Sequence, residues 1–304
     1  MARVFVTRAL PFPALDRLRA EHDVDVWPEP MPPPPDALRA AATESDALLT
    51  MLTDRVDAEL LAAAPRVRAV ANLAVGIDNI DVRAAAEHGV AVGNTPDVLT
   101  DATADLAFAL LLALARRVLE GAAEVRGGQW RTWDPAHALG ADVAGATLGI
   151  IGWGRIGQAV ARRAAGFGMT VVHARPTPLE ELLARADFVS LHVPLTDGTR
   201  HLIDARALGC MKPTAMLVNT ARGGVVDQRA LAAALAERRI AGAALDVTDP
   251  EPLPSEDPLL DAPNLLVVPH IGSATVGTRA RMADMAVDNL LAALSGRPMP
   301  HPAD

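Results

Sequence analysis

Three blocks in the second half of the chain carry side chains able to do acid–base chemistry on a small anion. They are VNTARGG (218–224), LDVTDPEPLP (245–254) and VVPHIGSAT (267–275), and they hold Arg222, Glu251 and His270. A guanidinium fork binds a carboxylate through two parallel hydrogen bonds. A protonated imidazole hands a proton to a carbonyl oxygen as negative charge builds there, and takes it back in the reverse direction. A neighbouring carboxylate favours the protonated ring and sets its tautomer and orientation. Singly, each residue is ordinary: a surface arginine, a solvated acid between prolines, a Pro-His turn. Together, each at the end of an apolar strand-like run, they form a set suited to a carbonyl that sits beside a carboxylate.

A glycine-rich turn lies upstream. GWGRIG (152–157) fits G-x-G-x-x-G, follows the apolar run TLGII (147–151) and opens a helical segment, which is the context that gives the pattern meaning. Gly152 permits the tight turn, Gly154 lets the backbone approach a pyrophosphate, and Gly157 lets helix and strand pack closely. The helix start then offers free N–H groups and a positive dipole end to phosphates. The end of the next strand discriminates between cofactors. An acid about 20 residues on bonds the ribose 2′-hydroxyl of NAD, but MTVVHARPTP (169–178) has none. Arg175 stands there instead, with Thr177 close by. A guanidinium can pair with a 2′-phosphate, so NADP(H) is favoured and NAD(H) is the alternative. The stretch from Arg175 to the strand at 188–191 has room for one short helix (178–185) and little else.

These residues need a frame that brings strand ends together. Apolar runs at 3–7, 24–27, 46–50, 67–70 and 90–92 alternate with segments of helical period at 12–20, 36–43, 57–64 and 81–88. A long helix is predicted over 101–120, with Thr100 or Asp101 at its start and Arg116 and Arg117 suited to the dipole at its end. The segments 28–35 and 127–135 read as loops. A second alternation follows, with strands at 147–151, 169–173, 188–192, 215–219, 242–246 and 265–269, and a closing helix at 275–295. Strands alternating with helices imply parallel sheets covered on both faces. The expectation is an α/β protein of two doubly wound domains with an interdomain cleft. Residues 1–98 and 276–304 would form a discontinuous substrate domain, and 99–275 a dinucleotide-binding domain.

Composition narrows the class. Of 304 residues, 50% are apolar and 21% charged, as in a soluble globular protein. A net charge of −9 disfavours nucleic acid or an anionic membrane as partner. One cysteine, Cys210, excludes an intrachain disulfide and reads as a small packed residue. The longest apolar run, 106–115, falls short of the ~20 residues of a membrane span. No export signal is read at the start, so the expected compartment is the cytoplasm. No cluster has metal-ligand spacing, and no metal is predicted.

The blocks resemble the D-isomer-specific 2-hydroxyacid dehydrogenase family, and within it the glyoxylate and hydroxypyruvate reductases. The resemblance spans nearly the whole chain. It includes MLTDRVD (51–57), LAVGIDNID (73–81), TADLAFALLLALARR (103–117), GQWRTW (128–133), GWGRIG, SLHVPLT (190–196) and the three blocks above. It implies a Rossmann nucleotide-binding domain beside a flavodoxin-like substrate domain. It also implies that Arg222 binds the substrate carboxylate, that Glu251 pairs with His270, and that His270 is the general acid in reduction. Leu52, Val75, Gly76 and Trp133 are implied substrate contacts. Arg155, Ile156, Thr103, Val193, Pro194, Thr220, Ala221, Asp246 and Gly272 are implied cofactor contacts, with His192 a structural or cofactor-lining residue. Trp133 resembles a loop tryptophan that reaches a neighbouring subunit, which implies a homodimer built on 99–140. Trp130 reads as core or loop packing. The segment after Arg175 is shorter than the family's, and this bears on the adenine side.

Two further functions fit parts of the pattern. One is a cofactor-sensing, corepressor-like protein without turnover. The intact Arg, Glu and His speak against it. The other is oxidation of formate or phosphoglycerate. Formate enzymes of this fold resemble the chain less, having Gln where Glu251 lies.

Overall fold

The computed structural model describes residues 1–303. It divides into two compact units: residues 1–99 with the segment from Ala274 onward, and Thr100–Ser273. The first unit begins with β1 (Arg3–Val6), α1 (Ala14–Glu21), β2 (Asp23–Val26), α2 (Pro35–Thr43), β3 (Ala47–Thr50), α3 (Ala58–Ala63), β4 (Ala69–Asn72), α4 (Val82–Glu87) and β5 (Ala91–Gly93). The second holds α5 (Thr100–Ala115), α6 (Val118–Arg126), β6 (Thr147–Ile151), α7 (Arg155–Gly166), β7 (Thr170–His173) and α8 (Leu179–Arg185). It continues through β8 (Phe188–Leu191), α9 (Ala205–Cys210), β9 (Met216–Asn219), α10 (Gln228–Ala236), β10 (Gly242–Leu245) and β11 (Leu265–Val267). The last helix, α11 (Val276–Leu294), belongs to the first unit.

Each unit is a parallel sheet clothed by helices on both faces. In the first the strand order is β2-β1-β3-β4-β5, every pair parallel. Side chains alternate across this sheet, as a two-residue period requires. Phe5, Leu48, Val70 and Val92 pack on one face with residues of α2, α3 and α4. Val4, Val6, Leu49 and Ala71 pack on the other with α1 and α11. Ala283, Ala286 and Leu290 of α11 are buried there. The inner strands β3 and β4 are buried at every residue, whereas the edge strand β2, DVDV, is partly or fully exposed throughout. Asp57 and Asp81 cap α3 and α4, each carboxylate accepting an N–H from the first turn.

The second unit has the order β11-β10-β9-β8-β6-β7, again all parallel. Leu148, Ile150, Phe188, Met216 and Val218 face α5 and α7. Val172, Val189, Leu191, Leu217 and Leu245 face α8, α9 and α10. Counted within the unit, the order from the β7 edge is 2-1-3-4-5-6. Dinucleotide-binding sheets of order 3-2-1-4-5-6 carry another strand outside the second. Here β7 is the edge, because the chain runs from it through five residues into α8 and back to β8.

Of the boundaries that differ from the sequence reading, three have a visible cause. The strand expected at 67–70 begins at Ala69, opposite Ala47 and Ala91, because the Val67 N–H closes the turn after α3 on the Ala64 carbonyl. The helix expected over 101–120 stops at Ala115. Arg117 takes a left-handed backbone (φ 50°), the Ala115 carbonyl accepts from the Ala141 N–H, and α6 starts afresh at Val118. Pro35, read as loop, is the first residue of α2, a position where its missing N–H does no harm. Among the described residues no helix is long and apolar enough to cross a membrane.

Candidate active site

The three chemical blocks follow β9, β10 and β11, neighbours in the second sheet, so all three emerge at its C-terminal edge. Backbone bonds continue past the strands and tie the blocks together. The Asp246 N–H donates to the Asn219 carbonyl (2.9 Å), and the His270 N–H donates to the Asp246 carbonyl (2.9 Å). The Asn219 side chain shapes the first block, accepting from the Ala221 N–H (3.0 Å) and donating to the Arg222 carbonyl (2.8 Å). The next residue, Gly223, presses on the second block: a Cβ there would lie 2.0 Å from the Thr248 carbonyl, so only glycine allows this approach. The Arg222 turn and the loop bearing Glu251 are therefore packed backbone to backbone.

Glu251 and His270 meet directly. Glu251 Oε2 lies 2.9 Å from His270 Nδ1, and Oε1 accepts the Thr248 N–H at 3.0 Å. A carboxylate at Nδ1 puts the hydrogen on that nitrogen and leaves Nε2 for other work. The two side chains keep 27% and 29% of their surface, enough to meet a ligand. His270 adopts φ 52°, a left-handed backbone uncommon outside glycine. What holds it is Asp246, 1% exposed. Its two carboxylate oxygens accept the N–H groups of Ile271 (2.6 Å) and Gly272 (2.8 Å). Burial pushes the Asp246 carboxyl above its ordinary value, with the Glu251 charge adding to the effect, while the two N–H donors and His270 oppose it. Thr103 on α5 donates its hydroxyl to the Gly272 carbonyl (3.3 Å), so the loop is also tied to that helix. Nη1 of Arg222 donates to the Ala221 carbonyl (2.8 Å).

The glycine turn after β6 has the shape its sequence demands. Gly152 has φ 103°, and a Cβ there would lie 2.3 Å from the His192 carbonyl. A Cβ on Gly157 would lie 2.1 Å from the Gly152 carbonyl, whereas one on Gly154 would meet nothing within 4 Å. The turn is closed on the protein side and open where a phosphate would approach. Gly154, the residue at the start of α7, makes no side-chain cap, so the helix begins where the turn is open.

Sequence comparison places this site in a family. Residues 108–272 match the D-isomer specific 2-hydroxyacid dehydrogenase, NAD binding domain. The chain belongs to the D-isomer specific 2-hydroxyacid dehydrogenase family. It is an NAD(P)-dependent oxidoreductase. A glyoxylate reductase from Korarchaeum cryptofilum is 50% identical over 314 residues, covering 98% of this chain and 95% of that protein. Among solved structures, a protein from Thermus thermophilus superposes with a TM-score of 0.94 at 50% identity, covering 99% of this chain and 100% of that one. An NADPH-dependent glyoxylate/hydroxypyruvate reductase from Sinorhizobium meliloti, solved with NADP and malonate, superposes at 0.87 with 32% identity over 99% of this chain and 96% of that one.

The residues of this dehydrogenase fit a dinucleotide. Besides the open Gly154 turn, the Thr220 hydroxyl is buried with no protein partner, beside the Arg222 turn. Val193 and Pro194 follow β8 where its chain crosses Gly152. His192 bonds the Ser190 hydroxyl through Nε2 (2.8 Å). Its ring is enclosed although part of the residue reaches the surface, and burial pushes the imidazole down to about 4, so it is neutral at physiological pH. Arg175 and Thr177 lie in the five-residue connection after β7, with Arg175 exposed. The Trp153 indole stacks on His173 at the end of β7, ring centroids 4.0 Å apart.

In the first unit, Leu52 lies in the turn after β3, and Val75 and Gly76 lie in the loop after β4. Trp133 is 79% exposed. Trp130, expected to pack, is 62% exposed instead, because residues 127–140 form neither helix nor strand and none of them is buried. Among the described residues no three His, Cys, Asp or Glu side chains group as a metal site. Reading the sequence missed Asn219 and the clamp formed by Asp246. The available signal was an amide or acid closing a strand run inside two of the blocks, Asn219 in VNTARGG and Asp246 in LDVTDPEPLP.

Proposed function

We propose that this dehydrogenase reduces a small 2-oxo acid, glyoxylate or hydroxypyruvate, to the D-2-hydroxy acid. The observation that carries the reading is the Glu251–His270 pair, 2.9 Å apart on a loop clamped by Asp246 at the C-terminal edge of the sheet. Arg222 binds the substrate carboxylate, which fixes the carbonyl's direction. A bound nicotinamide cofactor supplies the hydride. As charge gathers on the carbonyl oxygen, His270 donates its Nε2 proton there, and Glu251 stabilises the ring while it is charged. Backbone N–H groups around Val75 and Gly76 supplement the arginine, and Leu52 supplies apolar contact. The names of the relatives support glyoxylate as substrate.

Cofactor groups are assigned in the same way. The Gly152–Gly157 turn with Arg155 and Ile156 holds the pyrophosphate, assisted by Thr103. His192, Val193 and Pro194 line the adenosine side. Thr220, Ala221, Asp246 and Gly272 hold the nicotinamide end. Arg175 and Thr177 favour the 2′-phosphate of NADP(H), a reading supported by the absence of an acid after β7 and by the NADPH-dependent relative. A homodimer is proposed through the 99–140 region. Val118, Leu119, Val125, Trp130, Trp133 and Leu139 are all more than half exposed there, and α6 buries no residue.

Initial rates on a panel of 2-oxo acids, with NADPH and NADH in parallel, test the whole reading. Consumption of NADPH with glyoxylate or hydroxypyruvate is the expected result. Tight cofactor binding with no turnover on any oxo acid would instead favour the sensor.

A further inference from the structure

At the C-terminal edge of the first unit's sheet lies a network of amide side chains that no step above uses. Asn72, the last residue of β4, is fully buried. Its Nδ2 donates to the Gly76 carbonyl (3.0 Å) and to Asn79 Oδ1 (3.0 Å), and its Oδ1 accepts from the Thr50 hydroxyl (3.1 Å). Asn79 Nδ2 crosses to the turn after β3, donating to the carbonyls of Met51 (3.1 Å) and Asp54 (2.9 Å). Asn94, just beyond β5, donates from Nδ2 to the Val75 carbonyl (2.8 Å). The Asp54 carboxylate, itself buried, accepts from the Met51 N–H (2.7 Å) and the Thr7 hydroxyl and so closes that turn.

The consequence is directional. Two successive carbonyls, Val75 and Gly76, are held by asparagine amides. Among the described residues every cis peptide bond precedes a proline, so the Val75–Gly76 and Gly76–Ile77 peptides are trans. In a trans peptide the N–H points opposite to the C=O. The N–H groups of Gly76 and Ile77 are therefore each aimed away from the asparagine that holds the other side of the same peptide. Consecutive backbone N–H groups hold an anion when both face it.

We infer that Asn72, Asn79 and Asn94 are positioning residues for the substrate carboxylate. They aim the N–H groups of the 75–77 loop and join that loop to the turn bearing Leu52. The inference rests on the assignment of Val75 and Gly76 to carboxylate binding. It adds that affinity for the oxo acid depends on three buried or half-buried amides that never touch it. These amides act on substrate binding and leave hydride transfer and cofactor binding alone.

Steady-state kinetics of Asn94→Ala, Asn94→Asp and Asn72→Ala on glyoxylate, with NADPH affinity followed by fluorescence, provide the test. Losing one hydrogen bond that orients a charge-binding loop raises KM about tenfold, with kcat changed by less than about twofold and NADPH affinity unaltered. Asn94 is half-buried, and its own backbone is held by Asn289 and His301, so its variants fold even where Asn72→Ala does not. Asn94→Asp keeps the shape but cannot donate and sets a negative charge against the Val75 carbonyl, so its KM must rise at least as far as the alanine's. A wild-type KM in both Asn94 variants, or a loss confined to kcat, overturns the inference. Arg222→Ala, measured alongside, separates the two layers. If it raises KM while the Asn94 variants do not, only the positioning role is lost. If it too leaves KM unchanged, the carboxylate assignment fails and the inference falls with it.

Discussion

The two sides of the nucleotide-binding sheet are held very differently. After β9, β10 and β11, the loops are fixed by side chains within and between them: Asn219 shapes the Arg222 turn, Asp246 clamps the His270 loop, and Glu251 bridges Thr248 to the imidazole. Beyond β7, the Ala174–Pro178 connection has exposed side chains at Arg175 and Pro176, and the strand has a single neighbour. Chemistry needs atoms placed to a fraction of an ångström, so its loops are tied from several directions. Choosing between two cofactors needs only a charge in roughly the right place. The clamped side should thus lose rate or stability steeply when altered, and the β7 side should shift a preference by modest factors.

The steepest loss is expected for His270→Ala, which removes the proton donor. Reduction should fall by about 10²–10⁴ while NADPH still binds, as seen by stopped-flow turnover beside a binding titration. Near-full turnover in that variant would end the assignment. Asp246→Ala comes next, because it strands two loop N–H groups in a buried place. Unfolding in urea should show a loss of about 2–4 kcal/mol; a wild-type midpoint would mean that the clamp is ornamental. On the other side, Arg175→Ala should lower kcat/KM for NADPH about tenfold and leave NADH within about twofold. A rate loss with both cofactors would mean that the β7 side is as tightly constrained as the reactive side.

Acid sensitivity sharpens the contrast further. The His192 imidazole is pushed from an ordinary 6.5 down to about 4 in the folded chain. Between those values the unfolded chain binds the extra proton and the folded one does not, so stability rises with pH across this window and is lost as pH falls through it. The loss is on the order of 3 kcal/mol. His192→Gln should flatten the pH dependence of the urea midpoint between pH 4 and 6.5. The smallest effect belongs to the exposed Arg206–Glu180 pair on α9 and α8. Arg206→Ala should change stability by less than about 0.5 kcal/mol, measured the same way.

The strands were legible because inner strands of a parallel sheet are buried on both faces and read as short apolar runs, such as ALLT and MLVN. The chemical residues were legible because each stands just past such a run. The helix break at Arg117 was not, since LALARRVLEGAAEV continues a helical pattern without proline. The break depends on Ala141 reaching back to the Ala115 carbonyl, a contact far along the chain. Nor could the amides be read. Asn72, Asn79 and Asn94 look like any strand-end or turn asparagine until the fold shows which carbonyls they face.

The outermost position of β7 says something about how such sheets are assembled. A doubly wound sheet is layered from its centre, and the strands that carry Arg222, Glu251 and His270 lie at the opposite margin from β7. A strand-and-helix unit can be absent from one rim without shifting any pairing near the other. Trimming of this kind shortens the protein while the reactive margin keeps its registry. The cost falls on the fringe, where β7 has polar backbone groups with no strand beside them.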